Sequence, residues 1–129
     1  MKRLFLAVLS VAAVLAVLVF PNAAHASSGS VFNGDISGGA DFSDGGRSGE
    51  IESIYVYDYK KDGYGVRARS WVRGSYLRTF DYAGGANGGE LFRFDLVEFT
   101  GIDVDVCSRD SVSGVVRTFN CGGTRYFYA

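Results

Sequence analysis

The sequence predicts an all-β protein, a small antiparallel β-sandwich of the immunoglobulin-like or jelly-roll-like kind, with a small β-barrel as the alternative. Two observations favour this class. Segments in which apolar and polar residues alternate recur along the chain, most clearly at residues 92–96 and 102–106. Glycine clusters separate these segments, and no window carries the periodicity of an amphipathic helix.

The first 26 residues have the features of an export signal. Lys2 and Arg3 precede an apolar run over residues 4–20, and the small residues Ala24 and Ala26 match a signal-peptidase site. We expect cleavage after Ala26, an extracellular mature chain and no membrane attachment after cleavage. The alternative is an uncleaved anchor, for which this run is short, since a bilayer needs about 20 apolar residues.

Cleavage changes the chemistry that the chain can offer. It removes the only histidine, His25, and leaves 103 residues, enough for one domain. Because Lys2 and Arg3 leave as well, 11 basic side chains face 14 acidic ones, a formal net charge of −3. Nucleic-acid binding usually relies on a clustered basic excess. A nucleic-acid partner is therefore not expected.

Cys107 and Cys121 are the only cysteines, and an exported chain meets an oxidising compartment. We therefore predict a disulfide between them. The alternative, a redox-active pair, lacks the C-x-x-C spacing of such sites. A bridge that closes a loop of this length contributes about 3 kcal/mol in the chain-entropy account.

The alternating segments define the predicted elements in chain order. Strands are expected at residues 31–36, 51–60, 64–73, 76–82, 91–99, 102–108, 115–121 and 124–128. Residues 37–49 and 83–89 are predicted to be mobile loops, because glycine loses the most backbone entropy on ordering. We therefore expect a glycine-rich, partly disordered segment at residues 27–50, in which 31–36 can contribute a strand, followed by a β-domain at residues 51–129.

The stretch from Asp58 to Asp62-Gly63 raises the question of a calcium loop. An EF-hand loop that begins at Asp58 would need ligands at its third and twelfth positions, where this chain has Lys60 and Arg69. Two cations at ligand positions argue against a metal site, and we predict neither a metal nor a cofactor. Asp-Gly is instead a strong signal for a two-residue type I′ hairpin.

A hairpin with Asp62-Gly63 at its tip fixes a predicted register. It places the side chains of the two strands on two faces. The first face is apolar or small: Ser53, Tyr55, Tyr57, Tyr59, Val66, Ala68, Ser70 and Val72. The second pairs Asp58 with Arg67 and Glu52 with Arg73 around Ile54 and Trp71. A four-residue loop is the alternative, which keeps the faces but loses both charge pairs.

The second face of this hairpin is the candidate binding surface. Flat apolar groups beside cationic donors are typical of binding hot spots, and an aromatic ring can also stack on a sugar. The residues concerned are Ile54, Val56, Arg67, Arg69, Trp71 and Arg73. The alternative is a solvated outer face on which the arginines pair with Asp58, Glu52, and Asp103 or Asp105.

Catalytic arrangements have less support in the sequence. A Ser-His-Asp or Cys-His site needs a histidine, which the mature chain lacks. Residues 46–49 resemble a nucleophile elbow, but Glu50 stands where the motif needs glycine. Asp103 and Asp105 share a strand face about 7 Å apart, a spacing that glycosidases use but that is common on solvated strands. We assign no catalytic residue and expect no enzyme.

Several of these motifs occur together in a known group of proteins. A signal peptide, the D-x-x-x-D-G-x-x-V stretch at residues 58–66, the V-x-V-C strand at residues 104–107 and a second cysteine at Cys121 resemble small secreted proteins from actinobacteria. The resemblance implies export, a β-domain and one disulfide. It transfers no functional residue to this chain.

The sequence thus leaves two function classes open besides an enzyme. The first is a secreted, non-catalytic binding or interaction module with an extracellular ligand, a carbohydrate or a protein. It predicts that Trp71 is exposed. The second is a secreted inhibitor or toxin-like protein that acts on another protein. It predicts that a glycine-rich loop, 37–49 or 83–89, makes the contacts.

Overall fold

The computed structural model describes residues 28–45, 51–97 and 100–128. These residues form nine strands: β1 (Gly29–Phe32), β2 (Gly38–Ser43), β3 (Glu52–Asp58), β4 (Gly65–Val72), β5 (Ser75–Tyr82), β6 (Gly88–Phe94), β7 (Gly101–Val112), β8 (Val115–Phe119) and β9 (Arg125–Tyr128). No helix in this part of the chain has the length and apolar character needed to cross a membrane. The predicted signal peptide and residues 46–50 lie outside the described residues.

The strands form two antiparallel sheets that pack face to face, which confirms the predicted β-sandwich. The four-stranded sheet has the order β1-β2-β3-β6. The five-stranded sheet has the order β5-β4-β7-β8, and β9 also pairs with β7. Over the described ranges the two sheets remain separate, so the alternative of a closed barrel is not observed.

The core between the sheets is built from the inward-facing residue of each alternating pair. Ile54 and Val56 of β3 and Val104 and Val106 of β7 are fully buried, at 0% exposure. Aromatic rings fill the remaining volume, and Phe42 stacks on Phe127 with ring centroids 5.0 Å apart. The apolar burial that stabilises the fold therefore comes from both sheets.

Strand β2 lies in the stretch predicted to be a mobile loop, and that prediction is wrong for Gly38–Ser43. The glycines are required by packing: a Cβ at Gly39 would lie 2.6 Å from the Tyr57 hydroxyl oxygen. Because the Tyr57 ring occupies that space, only glycine fits at this position. The strands at 29–32 and 38–43 also show that the β-sandwich begins before residue 51.

The predicted β3–β4 hairpin is wrong, because the two strands belong to different sheets. β3 pairs with β2 and β6, whereas β4 pairs with β5 and β7. Gly63 has φ +82, so a tight turn does form, but the segment crosses from one sheet to the other. Two-residue turns with positive φ at both positions instead occur at Arg73-Gly74 and at Ser113-Gly114.

The predicted disulfide is confirmed, and it lies where the partner of β7 changes. β8 pairs with residues 108–112 of β7, and β9 pairs with residues 101–104. Between them, the Gly122 N–H donates to the Val106 carbonyl at 2.9 Å. Cys107 and Cys121, with Cα atoms 3.9 Å apart, hold the chain at this junction.

Candidate functional site

The structure divides the predicted binding surface between the two sheets. Ile54 and Val56 lie in the core, because β3 turns these residues towards β4 rather than towards solvent. The outer face of the five-stranded sheet carries Arg67, Arg69 and Trp71, since Val66, Ala68 and Ser70 alternate with them inside. Arg73 lies in the turn after β4 with φ +51. The predicted six-residue surface therefore does not exist as one face.

The arginine pairs also differ from the predicted hairpin pairs. Arg67 donates to both carboxylate oxygens of Asp81, at 2.6 and 2.7 Å, and this bonding raises the pKa of its guanidinium. Arg69 is paired in the same two-bonded way with Asp105, as the solvated-face alternative predicted. The predicted partners Asp58 and Glu52 are buried on the inner side of the other sheet.

An aromatic row crosses the outer face of the five-stranded sheet. The register places Tyr76, Trp71, Asp103 and Tyr126 opposite one another on β5, β4, β7 and β9. Strands lie about 4.8 Å apart, so Tyr76 is next to Trp71, and Tyr126 is about 10 Å beyond it. Tyr76 and Tyr126 are each 60% exposed, whereas Trp71 between them is half-buried and so less exposed than the binding-module hypothesis predicted. We call these four residues, together with Arg69, the tryptophan face.

Neighbouring residues hold the rings of the tryptophan face in place. The Arg69 guanidinium lies 5.5 Å from the centre of the Trp71 ring, a cation–π distance. The Tyr76 hydroxyl is hydrogen-bonded to the Thr79 hydroxyl at 2.6 Å. Tyr126 lies over Gly101, where an added Cβ would meet its ring. A ring that lies on the sheet in this way presents one flat side to solvent.

A second aromatic row lies on the outer face of the four-stranded sheet. Alternation along β3 puts Tyr55 and Tyr57 there, and Tyr59 follows directly after the strand. Ring centroids are 5.8 Å apart between Tyr55 and Tyr57 and 4.8 Å apart between Tyr57 and Tyr59. The predicted hairpin had placed the three tyrosines on one face with Val66, Ala68 and Ser70, which are buried in the structure. We call the three residues the tyrosine row.

Glycines and one carboxylate fix the tyrosine row. Tyr57 lies over Gly39 and Tyr55 lies over Gly89, where an added Cβ would lie 2.6 Å from the nearest atom of each tyrosine side chain. The Tyr57 hydroxyl donates to Asp41 Oδ1 at 3.2 Å. Burial raises the pKa of Tyr57, and its hydrogen bond with Tyr59 and the Asp41 charge raise it further. Tyr57 therefore stays protonated and continues to donate to Asp41.

The tyrosine row borders a shallow depression of about 280 Å³. Besides the three rings, its lining consists of Asp41, Asp58, Asn87 and Gly88. Asp41 brings a carboxylate to this side of the sheet, and none of the described lining residues is a lysine or an arginine. The depression is therefore an aromatic site with negative charge.

A larger cleft of about 570 Å³ lies at one end of the sandwich, and we call it the end cleft. Residues from the turns after β3 and β5 and from the end of β7 line it, among them Asp58, Lys61, Asn87, Arg109 and Asp110. Burial raises the pKa of Asp58, although its carboxylate accepts a hydrogen bond from the Lys60 N–H at 2.9 Å. Arg109 Nε is buried 3.8 Å from Asp81 Oδ1 and has no hydrogen-bond partner within residues 28–45, 51–97 and 100–128.

The Asp58 to Gly63 stretch forms this end of the sandwich by hydrogen bonds to its own backbone. Asp62 Oδ1 accepts from the Tyr64 N–H at 3.0 Å, and Asp58 accepts from Lys60. Both carboxylates thus act as turn acceptors, which is a common role for aspartate. In the part of the chain that the structure describes, no group of three or more acidic, His or Cys residues could hold a metal ion.

Sequence reasoning missed the tyrosine row and the end cleft. Alternating tyrosines are also expected of a strand that buries its aromatic residues, so period two alone does not show which face is exposed. The informative residues are glycines. Gly39 and Gly89 are the register partners of Tyr57 on the two neighbouring strands, and because they have no side chains they leave room for the tyrosine rings on the outer face of the sheet.

Comparison of the chain with protein-family models, with curated proteins and with solved structures finds no match, so a function has to be inferred from the geometry of these residues.

Proposed function

We propose that this protein is a secreted, non-catalytic module that binds an extracellular polysaccharide on the tryptophan face. Secretion rests on the export signal in the sequence, and the Cys107–Cys121 disulfide is compatible with it. The absence of histidine after Ala26 supports a binding role over catalysis.

The observation that carries this proposal is the row of Tyr76, Trp71 and Tyr126 across four neighbouring strands. The register lines the three rings up across the sheet, so they can contact successive units of an extended chain that crosses the strands. Sugar rings present flat apolar sides, which suit aromatic partners. Exposed aromatic side chains on a soluble protein are expected to mark a binding surface when they are clustered.

Polar groups between the rings match the hydroxyls of a sugar. Asp103 stands between Trp71 and Tyr126, and the ion pair of Arg69 with Asp105 lies one row further along. Paired side chains of this kind are held in one orientation, so little entropy is lost when they bind a ligand. The face is therefore preorganised rather than assembled on contact.

The test uses the fact that Trp71 is the only tryptophan. Sedimentation with insoluble cellulose, chitin or bacterial cell-wall polysaccharide identifies the polymer that the protein binds. We then expect the Trp71 fluorescence to shift when the oxidised mature protein is mixed with soluble fragments of that polymer. Trp71→Ala and Tyr126→Ala should each weaken sedimentation about tenfold, as expected for hot-spot aromatics.

The matched control is Phe119→Leu, which removes another exposed aromatic ring from a different part of the molecule. It should sediment like the wild type. Equal binding by the wild type, Trp71→Ala and Tyr126→Ala would overturn the proposal, as would an emission spectrum that no polymer changes.

A second candidate, a secreted inhibitor or toxin-like protein, is favoured by one observation. Ala83 and residues 85–87 form part of the wall of the end cleft, which has about 570 Å³ of volume, and a side chain of a partner protein could enter it. This function would depend on the loop and the cleft rather than on Trp71. Binding to a protein that survives Trp71→Ala and Tyr126→Ala would favour it.

A further inference from the structure

We infer that the tyrosine row binds a quaternary ammonium ion, the charged group of choline. This site lies on the opposite sheet from the tryptophan face and takes a different class of ligand. It therefore stands independently of the proposed polysaccharide binding.

The first argument is the supply of aromatic surface in one place. Tyr55 and Tyr59 are 40% and 56% exposed, whereas Tyr57 between them is only 6% exposed. Two rings thus stand open at either side of a third, and the depression that they border has about 280 Å³ of volume. Several ring faces around one small concavity are the usual surroundings of a bound quaternary ammonium ion.

The second argument is charge. Asp41, the register partner of Tyr55, brings a carboxylate to the depression on the outer face, and none of the described residues in its lining is a lysine or an arginine. The nearest lysine in sequence, Lys60, is directed elsewhere, since its ammonium lies 3.5 Å from Asp35 Oδ2. A cation would therefore meet the Asp41 carboxylate and the electron-rich ring faces without competition from a positive charge among these lining residues.

The third argument distinguishes a quaternary ammonium ion from a primary one. A primary ammonium group brings three N–H donors and needs acceptors for them. Asp41 is the outer-face carboxylate among the described residues of the lining, and its Oδ1 also accepts from the Tyr57 hydroxyl, so this one group would have to accept most of the three N–H donors. Methyl groups need no acceptor and can pack directly against the rings, so the site suits a trimethylammonium group better.

The fourth argument is preorganisation. Gly39 and Gly89 form a floor on which the Tyr57 and Tyr55 rings rest, and the hydrogen bond to Asp41 restrains Tyr57 further. Rings held in this way lose little freedom when a ligand arrives. The site should therefore bind choline without a change in the backbone.

The experiment titrates the oxidised mature protein with choline and follows the backbone amide signals by NMR. The same titration with the uncharged isostere, in which a tert-butyl group replaces trimethylammonium, separates cation binding from simple apolar contact. We expect choline to perturb the amides around Tyr55, Tyr57 and Tyr59, with a Kd at least about tenfold below that of the isostere.

Two variants test the residues themselves. Asp41→Asn keeps the acceptor for Tyr57 but removes the charge, and Tyr59→Leu removes an exposed ring. Each should weaken choline binding about fivefold or more. The matched controls Asp95→Asn and Phe119→Leu, exposed residues that do not line the depression, should bind choline like the wild type.

A second experiment, sedimentation with phosphatidylcholine vesicles, distinguishes a lipid headgroup from a free small molecule as the source of the ammonium group. Co-sedimentation that Asp41→Asn abolishes would identify a lipid headgroup, whereas choline binding without co-sedimentation would identify a free small molecule. Both results support the site. Equal affinity for choline and its isostere, or choline binding that neither variant weakens, would overturn it whatever the result for polysaccharide.

Discussion

Asp58 is a carboxylate that the fold buries at the end of β3, with 3% of its surface exposed. Its pKa is raised, chiefly because burial removes water from the charged form, and the nearby Asp62 charge adds to this. The folded protein therefore holds this proton at pH values where the unfolded chain, with an ordinary pKa of 3.8, has released it. The contribution of this group to the free energy of unfolding therefore falls as pH rises through that window.

Replacement of this residue gives a prediction at the residue scale. Asp58→Asn keeps an oxygen that can accept from the Lys60 N–H but has no charge to bury. We expect the variant to be more stable than the wild type at pH 7 and to lack the decrease in stability above pH 3.8 that this group causes. Urea denaturation over pH 3 to 8 measures both effects.

The exposed Asp95→Asn variant is the control for the loss of one negative charge. It should keep the pH dependence of the wild type. If Asp58→Asn were less stable than the wild type at pH 7, the ionised carboxylate would be contributing a favourable interaction, and the assignment of burial as the dominant cause would be wrong.

At the scale of elements, β7 has two successive partners along one edge, and the disulfide stands between them. The backbone link at this junction is the Gly122 to Val106 hydrogen bond. Without the Cys107–Cys121 bond, the chain after β8 would have more freedom in the unfolded state and a weaker attachment in the folded state. We expect the double variant Cys107→Ser, Cys121→Ser to lose about 3 kcal/mol of unfolding free energy.

Chemical denaturation of the wild type under oxidising and reducing conditions is the companion measurement. The reduced wild type should resemble the double variant, because both lack only the cross-link. A loss well below about 1 kcal/mol in both samples would mean that pairing of β8 and β9 with β7 alone holds the C-terminal segment.

The elements also show what alternation can and cannot specify. Residues 102–106 predicted a strand, and they form part of β7; the same pattern placed Arg69 and Trp71 on an outer face. Alternation fixes which residues share a face, but it does not identify the neighbouring strand. Asp62-Gly63 has the residues of a hairpin turn, and only the whole fold decides that the chain crosses to the other sheet there.

Glycine accounts for the other failure. Gly38-Gly39 suggested a loop because glycine is costly to order, yet the Tyr57 ring needs the space that Gly39 leaves. The contact between Gly39 and Tyr57, which are 18 positions apart, outweighs the local preference of glycine for a loop. The local sequence does not show such a contact. The tyrosine row was unrecognised for the same reason, since its exposure depends on which sheet covers the other side of β3.

At the scale of the whole molecule, the two-sheet arrangement and the predicted hairpin assign opposite environments to Ile54. In the sandwich it is fully buried at 0% exposure, whereas the hairpin placed it on a surface beside Trp71. Ile54→Ala should therefore cost about 2–5 kcal/mol, the usual effect of removing a large aliphatic side chain from a core.

Ile51 supplies a matched control, because the same substitution three residues earlier removes a side chain that is 57% exposed. Ile51→Ala should change the unfolding free energy by no more than about 0.5 kcal/mol. Urea denaturation of the two variants, with the wild type alongside, gives the comparison directly. Equal small losses of unfolding free energy for both variants would place Ile54 at the surface. Strand β3 would then lie outside the four-stranded sheet whose outer face carries the tyrosine row.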